Sequence, residues 1–409
     1  MEKQNQSTIQ NVKDYASLGI SDQSLIQIQK KAGDLLQKNT AQDSDFFKRD
    51  VILPGVPVVL QKEHKNDKRE VSGLIKIKQK QIEISLDETH PLMGVEFCDL
   101  LTAMRNFPQF VSRAFEKNLN GSTALLSILN LYQSVHGAFL HIPQGVRVED
   151  PFVVEIDSSG IENVFPIYLI IRMEAASAAK ISIRITGNLE DSTKKVITIV
   201  TQIELSTNAE LKIFEEQRCD QGSNLSSNSI IDIGQNAKCN YFIHDLGASE
   251  LNRSLFANNN APGAEAVITG IYEAKNSQKF SFDTVQNHTA SHTTSDLLFK
   301  GVLGGASSAL WKGNIYVAAD TIGVDGFQKN NNLMISENAK AESIPGLEIL
   351  ADDVRCSHGV TIGNVDKNQM FYLQSRGINK EEAKSLIIQG FLDSAFKRLD
   401  YAIKAKDTF

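Results

Sequence analysis

The sequence predicts a mostly β protein built around a parallel β-helix, and three observations support this fold class. Between residues 121 and 365, one alternating apolar and polar stretch follows another, with almost no helical periodicity. Asn, Gly, Ser and Asp separate these stretches, as expected for short strands joined by turns. A small polar turn that ends in alanine recurs before several of them. Helical patterns flank this zone on both sides.

The 409 residues are enough for two or three domains or for one long array of repeats. We divide them into a mixed helical and strand region at residues 1–120, a β-helix core at residues 121–365 and a C-terminal helical region at residues 366–409. The clearest alternating stretches of the core are VVEID (153–157), KISIRI (180–185), VITIVTQIEL (196–205), AELKIF (209–214), CNYFIH (239–244) and AVITGIY (266–272).

The alanines at the turn ends indicate the length of one coil. The first three spacings between them are 30, 28 and 27 residues, and the last spacing of 75 residues would hold two or three further coils. A β-sandwich would need hairpin turns and about 100 residues per domain, so the persistent spacing favours a solenoid. The alanines are Ala179, Ala209, Ala237, Ala264 and Ala339.

The first 120 residues carry weaker signals. Ser21 is expected to cap a helix that runs through Asn39 and has an apolar stripe along one side. A second helical pattern extends from about Val95 to Leu119, and Pro108 is expected to kink or divide it. Short alternating stretches between these helices predict strands near residues 56–60, 74–78 and 82–86.

Composition and charge exclude several classes of function. Lys and Arg number 42 against 49 Asp and Glu, so the net charge of −7 argues against binding to nucleic acid or to an anionic membrane. No apolar run approaches the roughly 20 residues that span a bilayer, and the first residues lack the apolar centre of a signal peptide. Four cysteines without a CxxC pair do not make a disulfide scaffold. We therefore expect a cytoplasmic protein.

Several enzyme motifs are missing from the sequence. It contains no Walker A sequence and no GxGxxG, so nucleotide binding by this chain is not expected. It also contains no GxSxG and no HExxH, the motifs of common hydrolases and metalloproteases.

Cys356 and His358 form a Cys-x-His unit at the end of the strand-rich region. Residues i and i+2 of a strand share a face, so the thiol and the imidazole are expected side by side. Both are suitable ligands for iron or zinc, but two ligands do not complete a site. The alternative interpretation is a buried cysteine beside a hydrogen-bonded histidine.

Three other candidates have structural interpretations. His288 and His292 are interpreted as solvated strand histidines, because about 13 Å along a strand is too far for one metal ion. Asp352 and Asp353 are interpreted as a polar corner, since adjacent strand residues face opposite sides. Trp311, the single tryptophan, is expected to be a packed strand residue.

The last 44 residues switch to helical patterns. Asp366 with Gln369 is expected to begin a helix that Gly377 ends, and Asn379 is expected to begin a second one. The second helix carries an apolar stripe and is interpreted either as a cap on the solenoid or as a docking face for another protein. The stripe consists of Ala383, Leu386, Ile387, Gly390, Phe391 and Ala395.

Three stretches resemble the SufB/SufD family of iron–sulfur cluster assembly proteins. They are LHIPQGVRVEDP (140–151), FKGVLGGASSALWKGNIYV (299–317) and ADDVRCSHGVTIGNVDKNQMFYLQSRGINKEEAKSLIIQGF (351–391). The resemblance covers residues 121 to about 396. Within the family, DDVRCSHG, TIGNVD and FYLQSRGI are similar to the SufD branch.

The resemblance implies a right-handed parallel β-helix flanked by helical regions, and a scaffold subunit that is not an enzyme. Such a subunit would pair with SufB, bind the ATPase SufC and support iron acquisition and cluster assembly, with ATP bound only by SufC. It would hold no cofactor stably alone, and whether a homodimer also forms stays open. Two alternatives remain at this point: a β-helix carbohydrate lyase or hydrolase, and a passive structural solenoid.

The resemblance also assigns site residues. Cys356 and His358 would hold iron or a nascent cluster together with a SufB cysteine. The C-terminal helices would be the docking site for SufC, in place of a mere cap. The residues of this docking site would be Phe371, Tyr372, Arg376, Gly377, Ile378, Leu386, Ile387, Gly390 and Phe391.

Overall fold

The computed structural model describes residues 20–40, 59–62, 71–78, 81–86, 93–121, 136–161, 164–188 and 192–399. Strands dominate the described part of the chain, and helices precede and follow them, as predicted. In chain order the elements are α1 (Gln23–Thr40), β1 (Val59–Lys62), β2 (Gly73–Lys78), β3 (Gln81–Leu86), β4 (Glu96–Asp99), α2 (Leu100–Asn106), α3 (Pro108–Gly121), β5 (His136–Ile142), β6 (Phe152–Asp157), β7 (Val164–Met173), β8 (Ala178–Thr186), β9 (Lys195–Leu205), β10 (Glu210–Arg218), β11 (Ser223–Ile233), β12 (Lys238–Asp245), β13 (Glu250–Asn259), β14 (Glu265–Ala274), β15 (Lys279–His288), β16 (Thr294–Leu303), β17 (Ser308–Val317), β18 (Val324–Met334), β19 (Lys340–Ile349), β20 (Val354–Asn364), α4 (Lys367–Ser375) and α5 (Lys380–Phe396).

The strands form two sheets that wind together into a parallel β-helix. Sheet A has the order β1-β3-β2-β6-β8-β10-β12-β14-β16-β18-β20, and sheet B has the order β4-β5-β7-β9-β11-β13-β15-β17-β19. From β5 onward each coil contributes one strand to each sheet, which gives eight coils with parallel neighbours. The predicted fold class is confirmed. The predicted region boundaries at residues 120 and 365 stay predictions.

The turn alanines mark the coils, with two corrections. Ala179 lies inside β8 in register with Leu211, and Ser177 holds the position in that coil that Ala209 holds in the next. Ala209, Ala237 and Ala264 are buried and stack in successive coils. The backbone carbonyl of each accepts a hydrogen bond from the N–H of the first residue of the next strand in sheet A. Asn208 and Asn236 before them have positive φ, a conformation that asparagine tolerates better than most residues. Ala339 was wrongly placed in this column, because it directly precedes β19 of sheet B and stacks on Ser307.

The interior of the β-helix changes character along its axis. The first coils are filled by aliphatic side chains such as Ile181, Ile183 and Ile199. Further along, Arg253 is buried with Asp245 and lies among polar side chains. Beyond this point amide, hydroxyl and aromatic groups line much of the interior. Polar residues in the later strands therefore do not mark the surface.

Helices cover one outer face of each sheet. Helices α1, α2 and α3 pack on the outer face of sheet B around Phe139, Tyr168 and Val200. Helix α5 packs on the outer face of sheet A, where Leu392 and Ala395 are buried. Among the described helices, none is long and apolar enough to cross a membrane.

Two details of the N-terminal prediction are wrong. Asp22, and not Ser21, caps α1, because its carboxylate accepts the N–H of Leu25. The pattern that begins near Val95 starts with strand β4, and Asp99 then caps α2. Pro108 divides the helical pattern as predicted, since it is the first residue of α3. Residues 56–58 of the first predicted strand lie outside the described residues, whereas β2 and β3 are confirmed.

The C-terminal helix does not cap the solenoid. Helix α5 contacts β14 and β16 on the side of sheet A, so the cap interpretation is wrong. A solenoid end exposes strand edges, and here β19 and β20 are the last strands of their sheets. Both carry mostly exposed or half-buried side chains among the described residues. The end of the β-helix therefore offers two free strand edges.

Candidate functional site

Cys356 and His358 lie side by side on β20, the last strand of sheet A. Both side chains belong to the row that faces the interior of the coil, in register with Gly326 and Gln328 of β18. Cys356 is half-buried and His358 is exposed, because no further coil covers them. The structure thus brings the two predicted residues together at the open end of the β-helix.

The thiol of Cys356 has a partly apolar environment. It packs beside a small buried cluster that contains Ile315, Val317 and Val324. Burial raises the pKa of the Cys356 thiol, the backbone N–H of Gly326 acts in the opposite direction, and the charge of Asp325 adds to the rise. At neutral pH the thiol is therefore protonated, and a metal ion has to displace that proton.

The donor set is suited to iron but incomplete. A thiolate and an imidazole are ligands that proteins use for iron and for iron–sulfur clusters. Within the described ranges, no group of three or more His, Cys, Asp and Glu side chains could hold a metal ion. A full coordination shell would need donors from outside the described part of this chain.

The free edges beside the pair are rich in exposed apolar side chains. An exposed strand edge with such side chains is a surface on which another strand can add by backbone hydrogen bonds. The coil end therefore combines a metal-ligand pair with a binding surface. The exposed apolar residues on or next to the two strands are Ile344, Leu347, Ile349, Leu350 and Ile362.

The two C-terminal helices begin and end largely as predicted. The carboxylate of Asp366 caps α4 by accepting the N–H of Asn368, and the side chain of Asn379 caps α5 by accepting the N–H of Glu382. Gly377 follows α4 with a φ of 88°, a conformation that glycine adopts without strain. None of the residues of α4 is buried.

The predicted docking residues fall into two groups. Phe371 and Tyr372 are 73% and 57% exposed, and Leu386 is 47% exposed, which is unusual for such large apolar side chains. Arg376, Gly377 and Gly390 are also exposed, whereas Ile378 and Ile387 are half-buried.

Phe391 differs from the other docking residues. It packs against the sheet, where the ammonium of Lys300 lies 4.5 Å from its ring centroid. The same ammonium donates a hydrogen bond to the backbone carbonyl of Phe391. Phe391 therefore helps to hold α5 on sheet A.

The interpretation as solvated strand histidines was wrong for His288, and for His292 it was right about the exposure and wrong about the strand. His288 is fully buried at the end of β15 and contacts the hydroxyls of Thr293 and Ser295 at 2.7 and 2.8 Å. His292 is not on a strand but in the following turn, with a φ of 57°. Trp311 is fully buried, as predicted.

The sequence analysis missed Gly326 and Gln328, which face the metal-ligand pair from the preceding coil. Each lies 30 residues before its register partner, Cys356 or His358. This spacing is the coil length that the turn alanines indicate. Subtracting this coil length of 30 residues from positions 356 and 358 gives positions 326 and 328.

Comparison with known proteins points to one family. The family model described as the SufBD core domain of SUF system FeS cluster assembly matches residues 156–391. This range contains the β-helix from the end of β6, both site residues and most of the C-terminal helices.

Individual relatives agree with this match. The iron–sulfur cluster assembly protein SufD of Bacillus subtilis is 28% identical over 317 residues, which cover 76% of this chain and 71% of that protein. SufD of Escherichia coli is 43% identical over 104 residues, or 25% of each chain. A SufBD family protein of Mycobacterium leprae is 29% identical over 175 residues, 41% of this chain. The aligned part spans 45% of the mycobacterial protein's length, less than two thirds.

Proposed function

This chain belongs to the SufBD family of the SUF iron–sulfur cluster assembly system, where it is similar to SufD, and we propose that it works there as a scaffold subunit and not as an enzyme. In this proposal it pairs with SufB through the open end of its β-helix and binds the ATPase SufC through its C-terminal helices. Iron or a nascent cluster is cargo held at the seam between the two β-helices. The carbohydrate-active alternative is set aside because of the family membership.

One observation carries the proposal: Cys356 and His358 lie side by side on a terminal strand that has one free edge. A closed site for a resident metal would bring all its ligands from one chain. A pair of ligands at a free sheet edge instead suits a shell that a second subunit completes. The raised pKa of the Cys356 thiol also suits transient binding. In the single chain the sulfur carries a proton, and a metal ion has to displace this proton to bind.

The exposed residues of α4 and α5 support the second contact. Phe371, Tyr372 and Leu386 do not contribute to a buried core, although each is large and apolar. Burial of such side chains by a partner is favourable by roughly 1.5–3 kcal/mol each. We assign this surface to SufC, so that ATP is hydrolysed by the partner and not by this chain.

The metal assignment is tested with His358→Ala and Cys356→Ser in cells that depend on the SUF system. Both residues are on the edge strand, so the expected result is a folded protein that still binds SufB and SufC. Iron in the purified complex and the activity of iron–sulfur enzymes should both fall. Normal maturation of those enzymes with either variant would remove that residue from the site.

The docking assignment is tested with Phe371→Asp combined with Leu386→Asp. Two charges on the exposed apolar surface should release SufC in a pull-down and leave SufB bound. Gln369→Asp with Ser385→Asp is the matched control, because it places the same charges on exposed polar positions of the same helices. Retention of SufC by the first variant, or its release by the control, would reject this docking surface.

A further inference from the structure

The last strand of sheet B has few side chains that could hold it in place. Strand β19 has a single neighbouring strand, β17, because it ends the sheet. The side chains on its interior row include Ala341, Ser343 and Pro345, which are small and only half-buried. Apolar burial therefore contributes less to β19 than to the preceding strands.

The side chain of Gln328 reaches across the interior to this strand. Gln328 lies on β18 and is fully buried. Its carboxamide nitrogen donates to the backbone carbonyl of Gly346 on β19 at 2.9 Å, and it lies 3.4 Å from the carbonyl oxygen of Gly313 on β17. Two carbonyl oxygens require a donor, which fixes the orientation of the amide. One side chain thus links the last two strands of sheet B to sheet A.

The surroundings leave room for this link and for little else. A Cβ atom on Gly313 would lie 2.5 Å from the carboxamide oxygen of Gln328 and 2.1 Å from the ring of Trp311. The amide therefore occupies space that a larger residue at position 313 would fill. The carboxamide oxygen itself is buried without a hydrogen-bond partner, so the nitrogen makes the contacts that hold Gln328 in this position.

Gln328 also lies directly beside the proposed site. Its register partner on β20 is His358. Gln328 therefore lies next to β20, the free edge strand of sheet A. Through Gly346 it is also hydrogen-bonded to β19, the free edge strand of sheet B. Ser343 makes further interior links, to Asn330 and Asn332, nearer the start of β19.

We propose that Gln328 is a positioning residue, which fixes β19 relative to β18 and so sets the distance between the two free edges that a partner has to meet together. This inference rests on the proposed pairing with SufB at the coil end. A surface held in its bound arrangement loses less conformational freedom on association, so its complex dissociates more slowly.

The test compares Gln328→Met with Gln286→Met. Methionine keeps the length of the side chain but removes the amide donor. Gln286 is a matched control, because it is also fully buried and its amide bonds Ser295 and Phe327 but no residue of β19. Hydrogen exchange of the β19 amides is measured on the single chain, and dissociation from SufB is measured on the complex.

The expected result is about tenfold faster exchange in β19 and about tenfold faster dissociation from SufB for Gln328→Met, the effect of roughly one hydrogen bond. Gln286→Met should lower the melting temperature of the protein about as much as Gln328→Met does. It should change neither the exchange rate of β19 nor the rate of dissociation from SufB. Emission of Trp311, the only tryptophan, should shift with Gln328→Met because its ring lies beside the amide.

Two results would overturn the inference. Unchanged β19 exchange would show that Gln328 does not fix the strand. Faster exchange with an unchanged dissociation rate would show that the distance between the edges does not matter to the partner. The proposed function fails in a different way, by the absence of SufB from complexes of the wild-type chain. The exchange comparison needs no partner, so it tests the link from Gln328 to β19 in that case as well.

Discussion

Gly326 and Cys356 face each other across the last two strands of sheet A, and the absence of a side chain at Gly326 makes room for the thiol. A Cβ atom at position 326 would lie 3.2 Å from Sγ of Cys356 and 3.2 Å from the side chain of Ile315. Ile315 is fully buried in the coil, whereas Cys356 is on a strand with one free edge. The thiol is therefore the neighbour that can move.

Gly326→Ala is expected to push the Cys356 thiol towards solvent. Because burial is the main cause of its raised pKa, the displaced thiol should ionise more readily and react faster with a maleimide at pH 7. The measurement is the alkylation rate of Cys356 by peptide mass spectrometry. The buried Cys219 and Cys239 of the same sample are internal controls and should stay unreactive. An unchanged or slower rate at Cys356 would contradict this account.

Arg253 is expected to be essential for stability. Its guanidinium bonds Asp245 at 2.7 and 3.1 Å and Glu215 at 2.7 Å, and all three side chains are buried. Arg253→Met would leave two carboxylates without their cation, at a cost of about 3–5 kcal/mol in the free energy of unfolding. Arg147→Met removes the exposed ion pair with Glu210 and should cost no more than about 1 kcal/mol. Urea unfolding of both variants checks the difference, and equal losses would contradict it.

The coil repeat was predictable, but its assignment to one of two sheets was not. Ala209, Ala237 and Ala264 repeat because each follows a tight turn and enters the interior. Small residues such as Gly222 and Ser307 also end turns at the other corner of the coil, so Ala339 appeared to continue the same column although it precedes a strand of the other sheet. Sequence spacing indicates the length of a coil and not the sheet to which a turn leads.

Burial was the least predictable property of individual residues. The stretch around His288 is polar, which suggested a solvated strand, yet hydroxyl groups inside the coil satisfy its ring. The apolar positions of α5 suggested one stripe, but the structure buries Leu392 and leaves Leu386 exposed. A helix with apolar residues on several sides does not reveal which side packs on its own chain.

Leu392→Ala is expected to reduce stability, whereas Leu386→Ala is expected to reduce binding to SufC. Leu392 is 4% exposed against sheet A, so its truncation should destabilise the attachment of α5 by about 2–5 kcal/mol. Leu386 is 47% exposed, so its truncation should change stability by no more than about 0.5 kcal/mol. Hydrogen exchange over α5 measures the first effect, and affinity for SufC measures the loss expected from the second. Comparable protection of α5 in the two variants would contradict the assignment of its two sides.

Pro345 is expected to limit strand addition at β19. Lys340 and Leu350 donate their N–H groups to Ser307 and Val317 at the two ends of β17. Along a parallel strand, the backbone groups of successive residues point alternately to the two neighbouring strands. The N–H groups of the odd-numbered residues of β19 therefore point to the free edge, and Pro345 has no N–H to donate there. Pro345→Ala should therefore increase self-association, measured by sedimentation against protein concentration. Ile344→Ala alters an exposed side chain without adding an edge donor and should not increase it. Equal association of the two variants would rule out this role.

His288 is expected to make the protein less stable in mild acid. Burial lowers the pKa of its imidazole from 6.5 to about 4, with a smaller opposing effect of Asp325. Between these values the unfolded chain binds a proton that the folded chain does not, so stability falls as the pH falls from 6.5 to 4, by roughly 3 kcal/mol in total. Glu216, whose pKa is lowered to about 2, adds its own loss only below about pH 4.5. Urea unfolding at pH 7, 6 and 5 should therefore show a decline that His288→Gln reduces, and the remainder is expected from His141, whose pKa burial also lowers. His292→Asn replaces an exposed imidazole four residues away and should keep the full decline, whereas an undiminished decline in His288→Gln would assign it to another group.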